Sequence, residues 1–233
     1  ETVIDPKTGK EKRVSPITKN EHLRRLVRSC VKNMPFRYVL SDVWYASAEN
    51  MKFIKQKLQR DFVMPLKSNR KVALTAQDKR NGTYVTVETL PFKDATTRTV
   101  YLEEVPFPLV LLRKIFTNKD GSTGTLYLVT SDTTLTYDSI INLYQKRWKI
   151  ETYHKALKQQ CALARSPART VVTQSTHIFC SLNAFVKLEM LTMLTSVSYE
   201  GLKLNLYIHA LKSAFKHLNS LQPLQWAATP VFA

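Results

Sequence analysis

Apolar positions in the first third of the chain repeat with helical spacing and then give way to short, continuous apolar runs. The elements that this pattern predicts are a helix over 20–33, a strand over 36–40, a helix over 47–60 and a strand over 61–67. The first helix begins at Asn20, a residue type that caps helices well, and the first strand stops at Ser41 and Asp42. A strand, a helix and a second strand in this order indicate a parallel pair.

The pattern changes to two-residue alternation after residue 67, as in Tyr84-Val85-Thr86-Val87. Strands are predicted over 70–76, 83–90, 97–105, 108–117 and 124–131, separated by turn residues. Helical spacing returns over 136–162, with Thr136 as N-cap, and continues over 170–195 and about 202–218. We therefore expect three segments: a first core part over 1–67, an antiparallel β-rich insertion over 68–135, and a second core part over 136–233.

The net charge of +17 and the isoelectric point of about 9.9 indicate a polyanionic partner. Nucleic acid is the first candidate, and an anionic membrane surface is the second. Residues 1–72 hold 17 Lys and Arg against 7 Asp and Glu, residues 73–139 hold 7 against 8, and residues 140–170 hold 7 against 1. Two basic segments flanking a neutral one predict that the flanks form one surface and that the middle is a separate module.

Three cysteines, Cys30, Cys161 and Cys180, lie far apart and form no CxxC pair, so we expect reduced thiols rather than a disulfide framework or a zinc ribbon. No run of 18 apolar residues and no signal peptide is present, and no transmembrane helix is expected. Residues 1–19 are polar and predict an extended loop. Because the chain starts at Glu1 without an initiator Met, we expect residue 1 to be an internal position of a longer protein.

One stripe of the predicted helix over 136–162 concentrates polar side chains. At about 100° per residue, Tyr144 lies at 0°, Arg147 at roughly −60°, Glu151 at roughly −20° and Lys158 at roughly −40°. Leu143, Ile150 and Leu157 fall on the adjacent flank and are expected to anchor the helix to a core.

Glu151 is the only acid between Asp138 and Glu189, a stretch with eight Lys and Arg. It fits an intrahelical ion pair with Arg147 and Lys155, worth only a few tenths of a kcal/mol. It also fits a metal-binding carboxylate flanked by phosphate-binding cations, although the spacing alone favours the ion pair and leaves both interpretations open.

The spacing Y-x2-R-x3-E-x6-K, met by Tyr144, Arg147, Glu151 and Lys158, resembles the signature of transposases of insertion-sequence family four, members of the DDE transposase and integrase superfamily. Further similarity lies in Trp148, in the block Ser166-Pro167-Ala168-Arg169-Thr170, in the helix with His177 and Ala184-Phe185, and in Ser41-Asp42-Val43-Trp44-Tyr45-Ala46-Ser47. The last of these resembles the family's second Asp block, and a β-rich insertion before the Glu is also typical of the family.

This resemblance implies an α/β fold with a partial ribonuclease-H-like (retroviral-integrase-like) core. It implies a catalytic site in which Asp42 and Glu151 bind two Mg²⁺ or Mn²⁺ ions. Arg147 and Lys158 would hold the DNA backbone near the cut, and Tyr144 would hydrogen-bond a phosphate. The implied reaction is hydrolysis at the transposon end to give a 3′-hydroxyl, followed by attack of that hydroxyl on target DNA.

The resemblance also implies partners and further contacts. Double-stranded DNA, as terminal inverted repeats and target, would be bound by a homodimer on paired ends, in a bacterial cytoplasm at the nucleoid and without a membrane. Trp148, His154 and Lys155 are further candidate DNA contacts, although packing is the alternative for Trp148, as it is for Trp44, and a solvated ring is the alternative for His154. His177 is expected to be a satisfied core residue.

The family has three catalytic carboxylates, and the first belongs on a strand that precedes the strand ending at Asp42. Asp5 is a poor substitute because its surroundings are polar and no strand is predicted to lead into it. We therefore expect the first Asp upstream of residue 1 and expect this chain to be catalytically incomplete. Two other functions stay open: a non-catalytic DNA-binding remnant of a transposase, and a structure-specific nuclease of the same fold.

Overall fold

The computed structural model describes residues 2–6, 8–13, 15–93, 95–167 and 169–220. The chain divides into two compact units, Glu1–Arg147 and Trp148–Ala233, called here the first unit and the second unit. The first unit is a mixed α/β structure built on a five-stranded sheet, and the second unit is helical in its described part.

The first unit contains nine strands and four α-helices among its described residues. The strands are β1 (Thr2–Ile4), β2 (Glu11–Arg13), β3 (Tyr38–Leu40), β4 (Asp61–Leu66), β5 (Lys71–Val72), β6 (Val85–Thr86), β7 (Thr97–Val100), β8 (Leu109–Thr117) and β9 (Thr123–Thr130). The helices are α1 (Lys19–Asn33), α2 (Ala48–Lys52), α3 (Ala76–Arg80) and α4 (Tyr137–Gln145). Short 3₁₀ turns cover Val43–Tyr45 and Val87–Thr89, and a π-helical turn, Phe53–Lys57, continues α2.

The predicted strand–helix–strand unit is confirmed, because β3 pairs with β4 in parallel, with Tyr38 opposite Asp61 and Leu40 opposite Val63. The cap of the first helix was predicted wrongly. Thr18, not Asn20, caps α1: the Thr18 hydroxyl accepts the Glu21 N–H at 3.2 Å, and the Glu21 carboxylate accepts the Thr18 N–H at 2.8 Å. This reciprocal capping box satisfies two terminal donors together, which a single Asn does not.

The stretch predicted as an antiparallel β-rich insertion is antiparallel, but three of its strands extend the core sheet. The strand order is β3-β4-β9-β8-β7, with β9 paired to β4 and to β8. Only β5 and β6 form a small sheet apart. The inner end of β9 is buried on both faces, from Tyr127 to Thr130, which suits a central strand. The neutral segment is therefore not separate from the core sheet, because it supplies three of the five strands of that sheet. The domain boundaries at 67 and 135 stay a prediction.

The N-terminal stretch that was predicted as a loop is instead a hairpin. β1 and β2 pair antiparallel, with Thr2 opposite Arg13, and the turn between them uses Gly9 at φ 65°. A strand therefore does lead into Asp5, contrary to the expectation from its polar surroundings. The hairpin forms a two-stranded sheet of its own.

The core of the first unit covers both faces of the five-stranded sheet, because side chains along each strand alternate between faces. On one face, Phe62 and Met64 of β4 pack with Met51 and Ile54 from the α2 segment. The other face is covered by α4. Its apolar cluster contains Val63, Val110, Leu112, Leu128, Ile140 and Tyr144.

The second unit contains α5 (Lys149–Gln159), a 3₁₀ turn (Leu163–Arg165), α6 (Val171–Thr195) and α7 (Tyr199–Ser220). The single helix predicted over 136–162 is interrupted, because Lys146–Trp148 forms a 3₁₀ turn between α4 and α5. α6 begins at its N-cap Thr170 as expected, and α7 is longer than predicted. Residues 221–233 of the predicted second core part lie outside the described residues.

α6 is apolar around most of its circumference. In the part of the chain that the structure describes, α6 is long and apolar enough to cross a membrane, which the absence of an unbroken apolar run did not predict. One such helix is weak evidence for a membrane span, since only its length and composition meet the test. The three cysteines are free, as expected.

Candidate functional site

Asp42 lies where β3 ends and caps the 3₁₀ turn Val43–Tyr45. Its Oδ1 accepts the Val43 N–H at 2.6 Å, and the side chain is exposed. The preceding Ser41 is buried, so the chain leaves the sheet at this point. Because the carboxylate sits outside the carboxyl end of a parallel strand, it occupies the edge at which α/β sheets commonly bind ligands. Its second oxygen, Oδ2, is of the hard type that Mg²⁺ prefers.

A cavity of about 750 Å³ adjoins the Asp42 turn at the carboxyl ends of β3 and β4. Its lining combines the turn with the loop that follows β4. The lining residues are Asn20, Val43, Trp44, Ala46, Ser47, Leu66, Lys67, Asn69, Arg70, Lys71, Leu102, Glu103 and Glu104. Lys67, Arg70 and Lys71 bring three positive charges to this lining, and Glu103 and Glu104 bring two negative ones. None of these five was among the predicted site residues.

Trp44 lines this cavity and is 68% exposed, which overturns the expectation that it packs in a core. The Lys19 Nζ lies 5.4 Å from the centre of its ring. An exposed indole with a cation over its ring combines an aromatic surface with a positive charge, the two kinds of group with which proteins bind nucleic-acid bases and phosphates. Trp148 is likewise exposed, at 62%.

Tyr144 of α4 is brought close to Asp42 by the fold of the first unit. Tyr144 is buried, and the Arg147 guanidinium lies 5.5 Å from the centre of its ring. Burial raises the pKa of the Tyr144 phenol; the positive charge of Arg147 opposes this rise, and the negative charge of Asp42 adds to it. The charges of Arg147, three residues away, and of Asp42, which is distant along the chain, therefore both act on Tyr144.

The other predicted site residues lie on α5 in the second unit. Glu151, Lys155 and Lys158 are exposed and share one face of this helix, at spacings of four and three residues. His154 is exposed as well, with its ring 5.4 Å from that of Tyr153.

α5 is held within the second unit by its opposite side. Ala156 and Leu157 are buried, and the Tyr153 ring meets the Phe185 ring edge-on at 4.8 Å. Leu157 thus anchors the helix as expected, whereas Ile150 is 45% exposed and was assigned to the anchoring flank wrongly.

The single polar stripe predicted through Tyr144, Arg147, Glu151 and Lys158 assumed a uniform helix. The 3₁₀ turn at Lys146–Trp148 breaks that assumption, because a 3₁₀ turn holds fewer residues than an α-helical turn. The predicted polar stripe is therefore continuous only within α5, where it contains Glu151 and Lys158. Asp42, Tyr144 and Arg147 belong to the first unit and Glu151 and Lys158 to the second, so their convergence on one site stays a prediction.

The region after α5 agrees with a structural role for His177. Its Nε2 lies 3.0 Å from the Ala162 carbonyl oxygen, which ties α6 to the loop before the Leu163–Arg165 turn. The histidine is satisfied, as expected, but it is half-buried and belongs to neither apolar core cluster. Of the block at 166–170, Thr170 caps α6, and Ala168 lies outside the described residues.

A polar cluster around Asp132 was missed by the sequence reasoning. Asp132 is buried, and its Oδ2 accepts hydrogen bonds from the Arg37 guanidinium and the Tyr38 hydroxyl, both at 2.7 Å. The local pattern, an apolar strand followed by Ser131 and Asp132, repeats the pattern at Ser41 and Asp42. Because β9 runs antiparallel to β4, this second Ser-Asp pair lies at the opposite end of the sheet.

Within the described residues, no group of three or more His, Cys, Asp or Glu lies in a position to hold a metal ion. A family model described as a transposase DDE domain matches residues 2–184 of the chain. No curated protein matches it.

Proposed function

The chain belongs to the transposase DDE domain family, and from this premise we propose that it cleaves transposon ends and joins them to target DNA. The proposed subgroup is insertion-sequence family four, because Tyr144, Arg147, Glu151 and Lys158 meet its Y-x2-R-x3-E-x6-K spacing. The reaction is hydrolysis of a phosphodiester to a 3′-hydroxyl, followed by attack of that hydroxyl on target DNA.

The observation that carries the proposal is the match of the transposase DDE domain model to residues 2–184, a span that contains both the Asp42 block and the Tyr144–Lys158 signature. The fold of the first unit adds to this match. Asp42 and Tyr144 are distant along the chain, and yet the charge of Asp42 acts on the buried Tyr144 phenol. This supports the assignment of both segments to one functional region.

Asp42 and Glu151 are the proposed metal ligands. Both are exposed carboxylates at element ends, and such hard oxygens fit Mg²⁺ or Mn²⁺. When bound, a pair of ions about 4 Å apart activates the attacking oxygen and stabilises the leaving oxygen. Each carboxylate in this proposal holds an ion against the scissile phosphate, and Asp42 keeps its orientation through the hydrogen bond from the Val43 N–H.

The remaining residues of the proposal bind the DNA backbone. Tyr144 is protonated at neutral pH, as an ordinary tyrosine is, and in this proposal its phenol donates to a phosphate oxygen. Arg147, Lys155 and Lys158 contribute positive charge, and His154 and Trp148 lie on or beside the same helix. In the first unit, Lys67, Arg70 and Lys71 of the cavity beside the Asp42 turn are further candidate DNA contacts.

The proposed partners are the terminal inverted repeats and target DNA, both double-stranded, bound by a homodimer on paired ends. A net charge of +17 suits such a polyanion. The proposed location is the bacterial cytoplasm, at the nucleoid, with no role in a membrane. A third carboxylate is expected to complete the site, so we propose that the chain binds metal weakly and turns over DNA only with that ligand.

The central test asks whether Asp42 and Glu151 share ions. Fe²⁺ replaces Mg²⁺ in such sites and, with ascorbate and peroxide, generates radicals that cut the polypeptide near the bound ion. We expect cuts near residue 42 and near residue 151, and we expect Asp42→Asn and Glu151→Gln each to remove both. Asp138→Asn, which changes an exposed acid in the first turn of α4, at the end of that helix opposite Tyr144, is the matched control and should keep both cuts.

Cuts at one of the two segments alone, or cuts that survive both substitutions, would reject the shared site.

The two alternative functions are separated by the DNA substrate. A remnant binds DNA but shows no Mg²⁺-dependent cleavage of DNA that carries the terminal repeats. A structure-specific nuclease cuts many branched DNAs, whereas a transposase requires its own terminal repeats.

A further inference from the structure

A second basic groove lies on the first unit, between α1 and the helical segment made of α2 and the π-helical turn. Its cavity measures about 470 Å³ and is lined by Glu21, Arg24, Arg25, Arg28, Glu49, Lys52, Phe53, Gln56 and Lys57. We propose that this groove binds the phosphate backbone of duplex DNA beside the cut. That the partner is DNA rests on the proposed function; that the groove binds a polyanion rests on the observations below.

The groove carries a surplus of positive charge that the protein itself does not neutralise. Its lining holds five cations and two acids. Glu49 forms an ion pair with Arg24 at 3.0 Å, whereas Glu21 is hydrogen-bonded in the capping box with Thr18 and acts on Arg24 and Arg25 only through its charge. Arg25, Arg28, Lys52 and Lys57 remain. In the part of the chain that the structure describes, none of these four forms an ion pair with an acid.

Two of the arginines are held in place before any ligand arrives. Arg24 donates to the Asn50 Oδ1 at 2.9 Å as well as pairing with Glu49. The Arg28 guanidinium lies 5.1 Å from the centre of the Phe53 ring, in a cation–π contact. Holding these side chains in advance lowers the conformational entropy lost on binding, which favours the ligand.

The far wall of the groove comes from an irregular turn. Residues Phe53–Lys57 are π-helical, with the Leu58 N–H donating to the Phe53 carbonyl at 3.1 Å. Such widened turns are uncommon and occur frequently at functional sites. Here the turn contributes Phe53, Gln56 and Lys57 to the lining, so the widening lies at the groove itself.

A hydrogen-bond network connects the groove to the Asp42 turn. Asn50 is fully buried; its Nδ2 donates to the Tyr45 carbonyl and to the Asn20 Oδ1, both at 2.9 Å, while its Oδ1 accepts from Arg24. Tyr45 ends the 3₁₀ turn that Asp42 caps. DNA seated on the groove is therefore held at a fixed position relative to Asp42.

The form of the groove favours an extended polyanion over a small anion. Its cations lie on two walls, and on α1 they are spread from Arg24 to Arg28, about 6 Å along the axis. Duplex DNA supplies phosphates at such intervals along both strands. Lys and Arg side chains bind these phosphates whatever the sequence, so the groove positions DNA without reading it.

The test compares two triple variants of the full chain, each of which removes three positive charges. One neutralises the groove, Arg25→Gln with Lys52→Gln and Lys57→Gln. The matched control neutralises three cations elsewhere on the first unit, Lys93→Gln with Lys114→Gln and Lys119→Gln. The measured quantity is the slope of log binding constant against log salt concentration for a random duplex, with circular dichroism as the check of folding.

We expect the groove variant to reduce the salt slope by about 2 to 3, since each phosphate contact contributes about 0.9. The control should change it by less than about 1. Equal slopes for the two variants, or a groove variant with the slope of the unsubstituted protein, would overturn the groove as a binding site while leaving the proposed function intact.

Absence of any salt-dependent DNA binding by the unsubstituted protein would reject the proposed function as well. A competition arm with polyglutamate tests the other class of partner. If polyglutamate displaces DNA at equal charge concentration, and does so through the groove cations, the partner of the groove is an acidic protein and the DNA proposal fails.

Discussion

At the scale of single residues, Asp132 shows how a buried charge is held in this protein. Burial alone would raise its pKa, but hydrogen bonds from Thr134 and Tyr38 and the charge of Arg37 lower the pKa of Asp132 to about 2. The same contact works in the opposite direction on the phenol, because burial and the hydrogen bond to Asp132 raise the pKa of Tyr38 to about 12. The hydrogen bond thus stabilises Asp132 in its charged form and Tyr38 in its neutral form.

A pH dependence of stability follows for Asp132. Since its pKa in the folded protein, about 2, lies below the ordinary value of 3.8, its contribution is present above about pH 4 and is lost as the pH falls towards 2. The loss is roughly 1 to 2 kcal/mol in the free energy of unfolding. Urea unfolding followed by circular dichroism at pH 7 and at pH 2.5 measures it.

The matched variant is Asp132→Asn. At pH 7 it should be less stable by about 2 kcal/mol, since it leaves Arg37 without its buried partner. Its stability should then fall less than that of the unsubstituted protein between pH 7 and pH 2.5. Identical pH dependence of the two proteins would contradict this role.

Tyr144 combines a packing role and a proposed binding role, which two substitutions separate. Tyr144→Phe keeps the ring in the cluster with Val63 and Ile140. Its free energy of unfolding should lie within about 0.5 kcal/mol of that of the unsubstituted protein. It should weaken DNA binding by a few-fold through the lost hydrogen bond. Tyr144→Ala should lose about 3 kcal/mol of stability as well. Filter binding and urea unfolding measure the two effects, and unchanged DNA affinity in Tyr144→Phe would remove the proposed contact.

At the scale of elements, helix ends decide how the candidate site is built. α1 starts at a capping box, α2 starts where Ser47 accepts the Asn50 N–H, and Asp42 caps the turn between β3 and α2. Each cap satisfies amide groups that the helix leaves open. These caps fix where α1, α2 and the Asp42 turn begin. They therefore help to position the basic groove between α1 and α2 and the Asp42 turn relative to the sheet.

The cap of α1 provides a test of this arrangement. Thr18→Ala should cost about 1 kcal/mol of stability, because it removes the acceptor for the Glu21 N–H. Thr133→Ala, at an exposed threonine in a loop, is the control and should cost much less. Thermal unfolding of both variants gives the comparison. Equal effects of the two substitutions would show that the capping box contributes nothing specific.

Much of the secondary structure was predictable because it follows from local patterns. The parallel pair β3 and β4, the antiparallel strands β7 to β9, and helices α1 and α6 all appear where periodicity indicated. The break between α4 and α5 did not follow from periodicity, since Lys146, Arg147 and Trp148 are acceptable in an α-helix. The hairpin of β1 and β2 was missed because its strands are short and polar.

At the scale of the whole molecule, the two units differ in how much of them is buried. The first unit contains both large apolar clusters, on the two faces of its sheet. In the second unit, only a few described residues are buried. They are Ala156, Leu157, Cys161, Ser181 and Leu202. Since burial of apolar surface is the main source of stability, we expect the second unit to have little stability of its own.

Amide hydrogen exchange should therefore divide the chain. Amides of β4, β8 and β9 in the first unit should exchange at least about tenfold more slowly than those of α7, a difference of about 1.4 kcal/mol in opening free energy. The measurement is exchange followed by proteolysis and mass spectrometry at neutral pH. Protection in α7 equal to that in the central strands would show that the second unit is stabilised as strongly as the first.

The amino-acid sequence by itself determined the local elements, the surplus of positive charge and the spacing of the acidic and basic residues of the proposed site. These properties depend on residues that are close along the chain or on the total charge. Tertiary structure decided which distant groups meet. It placed Tyr144 and Arg147 near Asp42, sent Asp132 to the other end of the sheet despite the same Ser-Asp pattern, and joined α1 to α2 as a basic groove. Strand direction and helix packing determine which of these distant residues come close together. Both depend on long-range contacts that local periodicity does not encode.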